Sequence, residues 1–249
     1  MALVSFLFAI PLILQPRSSF GASNTTGQTL LEKEKSIYLY FLDIRALKEP
    51  TFVTYMIANF SIFLGFYIPF FFIPLYAQVL LGTSQSTSYN FLAITHAGGV
   101  IGRLLPGLIA SRFTKLGAVG THALFGFCSA TLVLAWTAVN DTPGFVVCCV
   151  LWGFFVGAHI AMPPSVTADL SPVTEVLGTR IGMVEAVTAP AVLIGGPIAG
   201  ALIGPDGQTS KSSFTRAQLL AGVALLIGAV LILPVWRMLS KQSRAVALE

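Results

Sequence analysis

Charge is what this chain has little of: only 10% of its 249 residues are Asp, Glu, Lys or Arg, while 55% are hydrophobic. An ordinary soluble domain carries about 25% charged residues, so there is too little polar surface here to coat a fold in water. Cysteine is scarce as well. Cys128, Cys148 and Cys149 fall inside apolar blocks, where they read as small buried hydrophobes without disulfide or metal-ligand spacing. No two histidines stand four residues apart, so the helix-borne pair of an intramembrane metalloenzyme is missing. No catalytic role, metal or cofactor is expected. A basic stripe with interleaved aromatics is also missing, which argues against nucleic acid as a partner. The net charge of +4 sits instead beside the apolar blocks.

What is present is a run of six such blocks: Thr51–Leu81, Tyr89–Ala110, Leu116–Val139, Phe145–Met162, Gly178–Ile203 and Ala217–Trp236. About 20 residues at 1.5 Å rise each match the roughly 30 Å hydrocarbon core of a bilayer. The fold expected is therefore all-α, a polytopic transmembrane helical bundle whose solvent is lipid. Residues 51–239 form its six-helix domain. Residues 1–14 are an apolar stub too short to cross alone, 15–50 a mixed-charge, solvated connector, and 240–249 a tail. Pro69 and Pro74 predict a kinked or broken first helix, and Pro163-Pro164 predicts the end of the fourth.

The flanking charges are lopsided. If the connector is cytoplasmic, eleven Lys or Arg fall on that side, including Arg112, Lys115, Arg180 and Arg237. Only Lys211 and Arg216 fall opposite. This is the positive-inside pattern, with both ends of the six-helix unit in the cytoplasm. Asn140-Asp-Thr is then an outside sequon and Asn24-Thr-Thr an inside one. Four-residue glycine spacings recur at Gly98/Gly102, Gly153/Gly157, Gly178/Gly182 and Gly196/Gly200/Gly204, and read first as close helix packing, with dimerisation as the alternative.

Arg103 lies inside the second block. A permanently protonated guanidinium offers a forked donor to a carboxylate in a water-filled cleft, although an arginine at that depth also snorkels to the interface. Glu185, inside the fifth block, is a proton-coupling candidate, with an ion pair to Arg180 as the alternative. His96 lies two turns from Arg103 on the same helix and is the histidine to test beside it. His122 and His159 read as structural.

Several stretches resemble one family: Phe41–Phe52, Gly65–Gln78, Gly102–Ala110, Gly153–Ala158, Gly178–Met183 and Gly196–Ile203. In collinear order they are similar to the second half of fungal monocarboxylate-transporter-like proteins of the major facilitator superfamily. The resemblance covers about residues 41–240. It implies a six-helix C-terminal half of a twelve-helix fold, with 2–14 as the end of a sixth helix. The implied function is alternating-access transport of monocarboxylates or related organic acids by proton symport at the plasma membrane. The implied partners are a lipid bilayer, a small organic anion, and a second six-helix half or a second copy. A truncated or non-transporting membrane subunit is the competing reading. Arg103 matches the family's intramembrane substrate-binding arginine. Gly99 stands where animal members place an aspartate, so an Arg–Asp pair is not available in this helix. Arg112 and Lys115 match the cytoplasmic gate loop, in which Ser111 replaces an aspartate. The family usually has an apolar residue where Glu185 stands.

Overall fold

The computed structural model describes residues 42–204 and 210–246. The stub, most of the connector with Asn24, and the last three residues lie outside them. Among the described residues six helices are long and apolar enough to cross a membrane: α1 (Pro50–Leu80), α2 (Gln85–Arg112), α3 (Gly117–Trp136), α4 (Thr142–Asp169), α5 (Leu177–Ile203) and α6 (Lys211–Val246). Short 3-10 turns at Ala46–Lys48 and Thr174–Val176 precede α1 and α5. Inside lipid, each backbone polar group needs a partner within the chain, and a helix supplies it locally. Pro50 opens α1, where its missing N–H costs nothing. Ser84 caps α2 through Thr87 N at 3.3 Å, and Asp141 caps α4 through Gly144 N at 3.0 Å. Gly82 and Gly117 take φ of +64° and +62° at the connections that follow α1 and α2, a conformation glycine adopts without strain.

Two boundaries differ from expectation. α4 runs through Pro163-Pro164 to Asp169, because a proline removes only its own N–H. The helix continues, and Thr167 Oγ1 donates to Pro163 O at 2.8 Å. Likewise α1 is unbroken at Pro69 and Pro74. At the other boundary, α6 continues to Val246 rather than giving way to a tail at residue 240.

Packing is backbone on backbone where glycines face one another. A Cβ on Gly157 would lie 2.6 Å from Gly99 O, and Gly98, Gly102 and Gly153 press equally closely on α4 or α2 carbonyls. The first two glycine spacings therefore hold α2 to α4. Gly65 joins α1 to Ala221 of α6, with a Cβ reaching 2.5 Å from its carbonyl. On α5 the close approach uses Gly195 against Leu64, not the 196/200/204 series, and Gly178 and Gly182 face open space.

At the end where α1 begins, Arg180 is 1% exposed. Its Nε donates to Asp43 Oδ2 at 2.9 Å, its terminal nitrogens donate to both Glu49 oxygens at 2.8 and 2.6 Å, and one also donates to Leu170 O at 2.8 Å. Phe52 lies 5.2 Å from the guanidinium. This overturns the pairing of Arg180 with Glu185. Five residues along a helix turn about 140°, so Arg180 points into the bundle while Glu185 points out. Over its described part the connector is mostly exposed, with Asp43 and Ala46 as its buried points; the Asp43 carboxylate accepts from Arg45 N and Ala46 N.

Candidate functional site

α1, α2 and α4 enclose a groove of about 360 Å³. The α1 wall is aromatic: Phe66, Tyr67, Phe70 and Phe71. The floor is made by Gly99 of α2 with Gly153 and Gly157 of α4, where the absence of side chains lets the two backbones touch and leaves room above them. Gly99 occupies a position where a Cβ would already lie 3.3 Å from Gly153 O. A side chain there would require the facing α4 backbone to give by a few tenths of an ångström.

Arg103 and His96 both line this groove. Seven residues are close to two full helical turns, so both side chains leave α2 on one face, about 10 Å apart along the axis. Arg103 stands nine residues, about 14 Å of rise, from the end of α2, well inside the span. It makes no hydrogen bond or ion pair among the described residues. His96 stacks on Phe70 with ring centroids 5.3 Å apart and planes 19° from parallel. Tyr67 also lines the groove, and its hydroxyl has no hydrogen bond among the described residues. The groove thus offers one unpaired cation, one imidazole and one phenol above an aromatic wall. Such a site can hold the carboxylate of a flat organic acid by a forked charge-assisted bond and its carbon skeleton by stacking.

The remaining sequence candidates lie elsewhere. Glu185 is exposed on α5, outside this groove. Arg112 ends α2 without an ion pair among the described residues. Lys115 borders a separate cavity of about 240 Å³ with Asp169, Trp236 and Ser240. Ser111 Oγ donates to Leu108 O at 3.0 Å, a helix-end contact rather than an interhelical lock.

A second polar feature escaped the sequence reading. Tyr55, His122, His159 and Ser129 are all fully buried and form a line through α1, α3 and α4. Tyr55 Oη lies 3.4 Å from His122 Nδ1, His122 Nε2 lies 3.2 Å from His159 Nδ1, and His159 Nε2 lies 2.9 Å from Ser129 Oγ. Phe66, part of the groove wall, meets the His159 ring edge-on at 6.4 Å. The two histidines are 37 residues apart on different helices, so spacing within one helix carries no signal of the pair.

No family model matches the chain. Over 191 residues it is 33% identical to the Aspyridones efflux protein apdF of Emericella nidulans, a match covering 77% of this chain and 37% of that protein. It is 30% identical to the Agnestins efflux protein AgnL12 of Paecilomyces divaricatus, over 77% of this chain and 42% of that one. It is 31% identical to the MFS-type transporter opdF of Penicillium oxalicum, over 83% of this chain and 47% of that one. The chain therefore spans about two fifths of the length of the curated relatives it matches. Its homologues are fungal MFS-type transporters, and with six spanning helices it is an integral multi-pass membrane protein.

Proposed function

We propose that this homologue of fungal MFS-type transporters supplies one six-helix half of a secondary transporter that moves organic acids by alternating access. The observation carrying the proposal is Arg103, well inside a span and without a hydrogen bond or ion pair among the described residues, lining an aromatic groove with His96 on the same helix face. A charge held at that depth without a partner is costly unless an anion completes it. Arg103 is the anion-binding residue in this reading, and His96, stacked on Phe70, fixes the other edge of the ligand.

The substrate class is a monocarboxylate or related organic acid with a flat, ring-bearing skeleton, for which four aromatic side chains and about 360 Å³ are suited. The names of two relatives specify efflux of aspyridones and agnestins, which supports outward movement. A proton moving with the acid is compatible with export whenever the acid accumulates inside.

The second half of the cleft comes from another six-helix unit or a second copy of this chain. In α2 and α5 only 28% of the most apolar stretch is buried, against 44–61% in the other four helices. These two helices present the face on which that unit packs. The end bearing Arg112, Lys115 and the Arg180 cluster is the cytoplasmic end, by the charge asymmetry of the loops, and the plasma membrane is the compartment that export requires. Arg112 and Lys115 then belong to the cytoplasmic gate. Glu185, exposed on α5, is placed to exchange protons with water or with the second unit.

The reading is tested by titrating the full chain in lipid nanodiscs with 2-naphthoate. Saturable binding that falls about tenfold to hundredfold in Arg103→Ala is the expected result, the loss of a hydrogen bond to a charged group being worth about 1.5–3 kcal/mol. Equal binding by the variant would overturn it.

A further inference from the structure

We propose that His122 and His159, bracketed by Tyr55 and Ser129, form a binding site for a single proton, buried behind the aromatic wall of the groove. The proposal that this proton accompanies the anion rests on the transport reading; the site itself does not.

Counting hydrogens shows why the capacity is one. The line has three links: Tyr55 to His122, His122 to His159, and His159 to Ser129. Two neutral imidazoles bring two N–H groups, and the two hydroxyls bring two O–H groups. In one arrangement Tyr55 donates to His122 Nδ1, and each imidazole passes its Nε2–H onward, ending on Ser129 Oγ. All three links are filled, and the Ser129 hydrogen points away. The reverse arrangement fills them equally, with the Tyr55 hydrogen pointing away.

Now add one proton to His122. Its Nδ1–H donates to Tyr55 Oη, its Nε2–H donates to His159 Nδ1, and His159 Nε2–H donates to Ser129 Oγ. All three links remain filled, now by three N–H groups, and the only change is that the Tyr55 O–H turns outward. The link to Tyr55 reverses direction and no heavy atom needs to move. A second proton places N–H against N–H at the 3.2 Å link between the rings, which is repulsive. The arrangement therefore accepts one proton and excludes the next.

The surroundings are consistent with a loading site rather than a fixed ion pair. The titratable groups facing the two rings are Tyr55 from α1 and each ring for the other, from α3 and α4. Glu185 of α5 lies within electrostatic range of Tyr55. It is exposed on α5. Among the described residues, α2 and α6 bring no titratable side chain into hydrogen-bond or ring contact with either imidazole. Communication with the groove runs through Phe66, which touches His159 on one side and lines the groove on the other. Pro163 also lacks the N–H that would otherwise bond the His159 carbonyl, so the backbone carrying this ring is less tightly held than a regular helix.

The test uses the full chain carrying His96→Gln and ¹⁵N-histidine, in nanodiscs, followed by solid-state NMR from mildly alkaline to acidic pH. The expected result is one protonation step, shared by both rings, with one proton taken up per chain and a nitrogen–nitrogen coupling across the link. Two rings that stay neutral throughout, or that titrate independently with two protons, would overturn the site. A second arm measures acid stimulation of 2-naphthoate uptake into vesicles holding the full chain. His159→Gln keeps a donor and an acceptor but cannot carry the charge, and is expected to flatten the pH profile at least tenfold. An unchanged profile would overturn the coupling. A wild-type chain that takes up no 2-naphthoate contradicts the transport reading, and the NMR arm then decides the proton site alone.

Discussion

Arg103 shows how much a single residue discloses when the solvent is lipid. Its position inside an apolar block was legible, and so was its alignment with His96, because seven residues return to one helix face. What they face was not legible, since the groove depends on α1 and α4, which lie far away in the chain. Arg180 illustrates the opposite outcome. Its charge suggested a nearby partner, yet its partners are Asp43 and Glu49, more than 130 residues earlier. Two substitutions separate these roles. Arg103→Lys keeps a charge but loses the planar fork; its 2-naphthoate affinity should fall between those of wild type and Arg103→Ala, with thermal stability unchanged. Arg180→Met should cost about 3–5 kcal/mol in reversible unfolding, because Asp43 is left buried and uncompensated. Adding Asp43→Asn to Arg180→Met should recover part of that loss. If the single variant unfolds like wild type, the cluster does not hold the connector to α5.

At the level of helices, the apolar blocks located the six spanning elements among the described residues by length alone, which needed no tertiary knowledge. The ends were less readable. Pro163-Pro164 looks like a stop, but two missing donors in the middle of a buried helix leave two carbonyls short without ending the helix. Of the four glycine spacings read as helix packing, 98/102 and 153/157 do pack, α2 against α4, while Gly178 and Gly182 face open space; Gly195 went unnoticed because it belongs to no four-residue series. The contrast between packed and open glycines gives an element-scale prediction. Gly102→Leu or Gly153→Leu should abolish recovery of a monodisperse chain from detergent, since each side chain would collide with the facing backbone. Gly178→Leu and Gly182→Leu meet nothing within 4 Å and should be recovered like wild type by size-exclusion chromatography. The reverse pattern would place the wrong helices in contact.

At the scale of the whole molecule, two of the six spanning helices among the described residues, α2 and α5, are sparsely buried, and the proposal assigns their exposed face to a second unit. A partner for that face is implied by the resemblance and not by composition, since an exposed apolar helix looks the same against lipid as against protein. If a second copy completes it, the chain in mild detergent should show twice the mass of one chain, and Gly182→Cys should form an intermolecular disulfide. A strictly single-chain mass would assign the face to a different six-helix unit. The most direct measurement is uptake of labelled 2-naphthoate into vesicles holding the full chain, compared with vesicles holding Arg103→Ala. Saturable uptake by the wild type and leakage alone by the variant is the expected result. Equal uptake by both would contradict the account of a groove built around a guanidinium awaiting an anion, and none by either would contradict completion of the cleft by a second copy.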